Sequence, residues 1–261
     1  MRVDGHVVLR EGPIEFLACR FGKEHESIIL LDASATHVYM ALGLIGLAPG
    51  HPPRWDERRG RFGPPTGDLI DVSIEWEDKG RHNVRAFEWI SEFEFARTPI
   101  DRPWVFAGSR PRPDGTLSAD HSGEAFALVD KPDCLLALSR NHVSRDAELW
   151  AHANTAAIAP LGTPLRIVLR PAKPRPPKIR VDFRGNTFVD GRYAHPEDVA
   201  DLVKLARRLS PDYVQDVHCD GTLQSDLIRL RQVLAGAGVP ADALHLIPGP
   251  PPPEHRDHTR P

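Results

Sequence analysis

The chain has few of the features that announce a function. Its three cysteines, Cys19, Cys134 and Cys219, lie far apart in 261 residues and form no C-x-x-C pair, so neither a disulfide framework nor a closed zinc site is expected. Buried free thiols are the expectation, and a single Cys19–Cys134 bridge is the alternative that the spacing leaves open. There is no H-E-x-x-H array, G-x-S-x-G elbow, phosphate-binding P-loop or dinucleotide fingerprint, so zinc proteolysis, serine hydrolysis and nucleotide-driven chemistry have no support in the sequence. No stretch is apolar enough to cross a bilayer, and the first residues lack the apolar segment of a signal peptide. A chain without a membrane span is expected, cytoplasmic if Met1 is the native start. The net charge of -3 supplies no long-range positive field, which argues against nucleic acid as a partner.

Proline, by contrast, is abundant at 26 residues, and its distribution divides the chain. Arg170-Pro171-Ala172-Lys173-Pro174-Arg175-Pro176-Pro177-Lys178 cannot form a helix or a central strand, because proline fixes φ and lacks the N–H donor. The expected organisation is a domain over 1–170, a stiff linker over 171–178, a small domain over 179–248 and a disordered Pro-rich tail over 249–261. A hydrophobic share of 41% and a charged share of 26% suit two globular cores. The overall class is α+β.

In the first region, Arg2–Arg10 and Ile14–Cys19 read as the two strands of a hairpin around Gly12-Pro13. Ile28–Leu31 is a further strand. Val38, Ala41, Leu42 and Ile45 recur at helical spacing after the capping candidates Ser34 and Thr36, and Pro49-Gly50 supplies the stop. This is the region's one main helix. Residues 51–67 read as a long surface loop, Asp71–Trp76 and Arg81–Ala86 as a hairpin, and Phe87–Phe95 is ambiguous. Trp104–Ser109, Glu124–Val129, Cys134–Ser139 and Leu165–Arg170 are further strands, with Trp76, Trp89 and Trp104 as core aromatics.

The densest chemistry is Lys23-Glu24-His25-Glu26-Ser27, between Cys19 and the strand at Ile28. On extended backbone Glu24 and Glu26 would share one side and His25 the other. That permits a paired-carboxylate site, or a metal site using Cys19, His25 and His37. Lys23, Ser27, Trp104 and Asn141 are the ligand-binding candidates, and an enzyme would place Glu24, His25 and Glu26 in a cleft with Trp104 or Asn141. No cofactor is expected. The favoured expectation is a binding or interaction module; a metal- or small-ligand-dependent, hydrolase-like enzyme is the alternative.

Gly22-Lys23-Glu24-His25-Glu26-Ser27, Ala86 with Trp89, Trp104-Val105-Phe106-Ala107-Gly108-Ser109 and Leu161-Gly162-Thr163-Pro164, in that order, resemble the YdjY domain family over residues 3–170. Leu138-Ser139-Arg140-Asn141 and Ser118-Ala119-Asp120 depart from that family's pattern. The resemblance implies a bacterial protein of the cell-envelope type, periplasmic if a leader was removed, without an assigned reaction.

In the second region Ile179–Val181 and Thr187–Val189 form a hairpin before the Asp190-Gly191 turn. A helix opens at His195-Pro196-Glu197-Asp198, a strand covers Tyr213–Val217, and Thr222 caps a second helix bearing Leu223, Leu227, Leu230 and Leu234. Leu244–Ile247 closes a β-β-α-β-α-β order. With Val181-Asp182, Gly185-Asn186, Val189-Asp190-Gly191 and Gly236-Ala237-Gly238-Val239 in place, residues 178–248 resemble the periplasmic domain of the ExbD/TolR family. That resemblance implies a protein partner, or self-association through this domain.

Overall fold

The structure, a computed structural model, describes residues 1–58, 60–92, 98–99, 102–139, 149–173, 176–221 and 224–249. It divides into two compact units, Met1–Ala172 and Lys173–Pro261. It is mixed α+β, and the first unit is a β-barrel with few helices.

The barrel is built from β1 (Arg2–Val7), β2 (Phe16–Cys19), β3 (Ser27–Leu31), β4 (Leu69–Glu77), β6 (Trp104–Phe106), β7 (Phe126–Ala127), β8 (Leu136–Leu138) and β9 (Pro164–Pro171), while β5 (Arg81–Arg85) pairs on the outside of β4. Closure comes from β4, whose first residues pair with β6 as Ile70 with Trp104 and Leu69 with Val105. Alternation sorts the side chains by face. Val3, Val7, Ile29, Leu31, Val72, Ile74, Leu165 and Ile167 belong to one buried cluster with Trp104, Phe106, Phe126 and Leu136. All three core tryptophans, Trp76, Trp89 and Trp104, are buried as the sequence predicts.

The expected hairpin of the first two strands does not form. β1 pairs with β3 and β9, and β2 lies parallel to β3. Phe16, Leu17, Ala18 and Cys19 are all fully buried, so β2 needs neighbours on both sides, which a hairpin with β1 alone would not give. Residues 51–67 carry more order than a loop: Pro49–His51 pairs with Thr66–Gly67 and Arg54–Asp56 with Arg61–Gly63, where Trp55 meets Phe62 edge-on at 5.4 Å. Phe87 lies in a 3-10 turn, Ala86–Trp89, which leads into the strand Ile90–Glu92; Phe93 and Phe95 lie outside the described residues.

Helix α1 (Ala35–Leu44) has the N–H groups of its first three residues, which lack a partner within the helix, satisfied by side chains. Asp120 accepts from Ala35 N at 2.5 Å and Thr36 N at 3.0 Å. Ser34 Oγ accepts from His37 N at 3.2 Å, and Ser34 O from Val38 N at 3.1 Å. Asp120 also accepts from Thr36 Oγ1. It belongs to α2 (Ser118–Ser122), a five-residue helix that sequence periodicity is too short to reveal.

The second unit has a five-stranded sheet. Its elements are β10 (Ile179–Val181), β11 (Thr187–Val189), β12 (Arg192–Ala194), α3 (Pro196–Leu209), β13 (Gln215–Cys219), α4 (Gln224–Gly236) and β14 (Leu244–Pro248). The strand order is β12-β11-β10-β13-β14. The sequence-based order lacks β12. Asp190 and Gly191 both take positive φ, 49° and 82°, the primed turn that joins hairpin strands, so a third strand precedes α3. The expected cap Thr222 lies outside the described residues, as does Leu223. Of the expected stripe, Leu230 and Leu234 are buried and Leu227 is half-buried.

Removing the cap of α1 is expected to destabilise the first unit, whose core takes in Ala35, Val38 and Leu42 of that helix. Asp120→Ala should lower unfolding stability by about 1–2 kcal/mol, measured by urea denaturation. Asp120→Asn, which keeps an acceptor, should lose less.

Candidate functional site

β2 and β3 run parallel, with Phe16 opposite Ser27 and Cys19 opposite Leu30. Only the seven residues 20–26 join them. A parallel connection ordinarily takes a dozen residues or more, so this one must double back within a few turns. The Lys23–Ser27 block is that return. Glu24–Glu26 form a single 3-10 turn, in which successive side chains point about 120° apart. The extended geometry expected from the sequence, with both glutamates on one side, is thereby replaced. His25 points outward and is exposed. Glu24 Oε2 accepts from Gly22 N at 2.9 Å, Ser27 Oγ donates to Lys23 O at 2.6 Å, and Lys23 Nζ pairs with Glu26 Oε1 at 2.7 Å. Behind the turn Gly123, at φ +79°, packs so closely that a Cβ there would stand 2.8 Å from both Lys23 Cγ and Phe21 O.

This turn completes a charged cap over a small apolar cluster formed by Phe16, Ala107, Ala127, Cys134 and Ala137. The Lys131 and Lys23 ammonium groups stand 5.4 and 6.0 Å from the Phe16 ring centroid, where the ring face attracts cations. Lys131 pairs with Glu15, which is almost fully buried. Burial raises the Glu15 pKa; Lys131 opposes the shift and Glu26 adds to it. Burial also pushes Glu26 upward, but the hydrogen bond and charge of Lys23 outweigh it and bring Glu26 below its ordinary value. The two carboxyl groups influence each other, and their shifts run in opposite directions, Glu15 upward and Glu26 downward. Glu124, raised by burial, accepts from Asp133 N at 3.1 Å.

The other candidates are not brought together. Cys19 is fully buried, and burial raises its thiol pKa to about 11, so it is not a ready thiolate. His25 and His37 are exposed. Among the described residues no group of three His, Cys, Asp or Glu is placed to hold a metal ion. All three cysteines are free, which corrects the bridge left open between Cys19 and Cys134. Trp104 is 1% exposed, inside the barrel, and Asn141 lies outside the described residues. Sequence reasoning missed Glu15, Lys131 and Glu124; each stands alone in its own segment, and only the fold brings the two carboxyl groups to Lys131.

The Glu26 ion pair carries a pH signature. Its lowered pKa means that its contribution to stability is present above the unfolded value of 4.5 and is lost as pH falls through the folded value. Glu26→Gln is expected to cost about 1–2 kcal/mol at pH 7, and the gap from wild type should close as the pH drops below 4.5. Thermal or urea unfolding across pH 3–8 measures it.

Comparison with known proteins matches the model of the YdjY domain to residues 6–170. Searches among curated proteins and among solved structures returned no match.

Proposed function

The chain belongs to the YdjY domain family, and on that premise we propose that it acts by binding rather than by catalysis, with the second unit as a self-association surface. One observation carries this reading. On the sheet of the second unit, Tyr193, Phe188, Arg180, His218 and Ile247 stand in a single register row across all five strands. The alternate positions Ile179, Val181, Thr187, Val189, Val217 and Cys219 are buried, so the row is on the face turned from the core. Arg180, Tyr193 and His218 are exposed. Phe188 meets Tyr193 edge-on at 6.2 Å and carries the Arg180 guanidinium at 5.3 Å from its centroid.

The charges around that row favour a second copy of the chain over a polyanion. Arg180 faces Asp220 at 3.5 Å and His245 faces Asp216 at 3.0 Å. Mixed signs can meet themselves across a two-fold axis, whereas phosphate chains need an excess of cations. Aromatic side chains with a polar neighbour are also what interface centres favour. The similarity of this unit to the periplasmic domain of the ExbD/TolR family, and the envelope setting, belong to the same proposal; they rest on strand–helix order and turns. What supports binding over the enzyme alternative at this site is that Glu24 and Glu26 are held by Gly22 N and Lys23 while His25 is exposed.

Sedimentation equilibrium is the test. The full chain should dimerise with a concentration dependence in the micromolar range or above, and Phe188→Ala with Tyr193→Ala should weaken the dimer about tenfold or more. A wild-type monomer at all concentrations, or a dimer indifferent to both substitutions, would overturn the proposal.

A further inference from the structure

The first unit contains a pocket of about 340 Å³ beside α1, within the range of sites that hold small molecules. Tyr39, Met40, Pro49, Pro111 and Leu117 give it apolar walls, and Gly50, Gly108 and Gly115 bring bare backbone to its lining. Its shape is held by a costly conformation. Ser109 sits at φ 59°, a left-handed backbone that non-glycine residues adopt at a penalty. Its hydroxyl fastens two segments by donating to Asp133 O at 2.6 Å and accepting from Ala119 N at 3.1 Å. Next to it, a Cβ on Gly108 would stand 2.7 Å from Pro49 Cβ. The Tyr39 ring rests edge-on against Phe106 at 5.4 Å.

The charges around the pocket select a ligand class. Asp120 is occupied by Ala35 N, Thr36 N and Thr36 Oγ1. Asp133 is occupied by Arg110 at 2.5 Å. Asp114 accepts from Thr116 N at 3.0 Å and Thr116 Oγ1 at 2.6 Å, and lies 3.7 Å from His121 Nε2. Arg112 lines the pocket, is 43% exposed, and has a long 3.7 Å contact from Nε to Asp114. A guanidinium has five donors, more than this one contact occupies. Apolar walls with a single guanidinium at the side suit a compact ligand with one carboxylate.

We propose that this pocket binds a small organic monocarboxylate with an aryl or aliphatic body, anchored by Arg112 and seated against Tyr39 and the Gly108-Ser109 backbone. The site belongs to the first unit, and its test does not depend on the self-association proposed for the second. Benzoate is the probe, and benzyl alcohol is the neutral comparison, in ¹H–¹⁵N NMR titrations of the full chain. Benzoate should shift the Gly108, Ser109, Gly115 and Leu117 amides saturably, with a dissociation constant on the order of millimolar for so few atoms. Arg112→Gln should weaken benzoate about tenfold or more, as expected for loss of a charge-assisted hydrogen bond. It should leave benzyl alcohol unchanged. Because Arg112 is half-exposed, the same spectrum verifies that the variant is folded. No saturable shift at these amides, an equal benzoate affinity in Arg112→Gln, or benzyl alcohol binding as tightly as benzoate would overturn the proposal.

Discussion

Two parallel strands joined by seven residues impose the constraint on which the first unit depends. Phe16–Cys19 must end at one edge of the barrel and Ser27–Leu31 must begin at the other. Four strand residues rise about 13 Å, and seven residues reach about 23 Å at full extension, so the return is feasible but leaves little slack. A connection this short has no room for a helix and must turn sharply, and sharp turns leave backbone groups to be satisfied. The Glu24 carboxylate, the Ser27 hydroxyl and the Lys23–Glu26 pair hold that turn together. The most reactive-looking segment of the chain is thus occupied in holding one strand crossing.

The crossing organises what lies around it. Because β2 follows β3 in parallel rather than β1 in a hairpin, it is free to pair with β7 on its other edge, and that pairing carries the wall on toward β8, β6 and closure on β4. Phe16, which packs in a small cluster of its own with Ala107, Ala127, Cys134 and Ala137, needs a cover. Lys23 and Lys131 supply it with their stems and charges, and Glu15 and Glu26 balance them. α2 sends Asp120 to the start of α1, and its terminal Gly123 supports the crossing from behind. A five-residue helix therefore fixes two distant pieces of chain.

Periodicity made part of this legible. α1, the buried tryptophans, the alternation of Asp71–Trp76 and Leu165–Arg170, and the helix of the second region opened by Pro196 all follow from local pattern, because burial of one face dictates the spacing of apolar residues. Partnership was not legible: nothing in Arg2–Cys19 says that its two strands lie apart with β3 between them, since a turn signal reports a change of direction and not which strand pairs. β12 was available in principle from Asp190-Gly191, a hairpin turn with only three strand residues beyond it. At the candidate site, Lys23, Glu26 and Ser27 were legible as a run, but the turn that they hold was not. A run of reactive side chains looks the same whether it serves chemistry or a tight turn. Glu15, Lys131 and Glu124 became visible only through the fold.

The most direct test of the account compares two neighbours in the same five-residue block by thermal unfolding. Ser27 is fully buried and closes the turn, whereas His25 is exposed. Ser27→Ala should lower the midpoint by roughly 2–4 °C for each kcal/mol lost in a chain of this size, while His25→Ala should leave it unchanged. A melt in which His25→Ala destabilises the protein and Ser27→Ala does not would contradict the claim that this segment exists to hold the crossing.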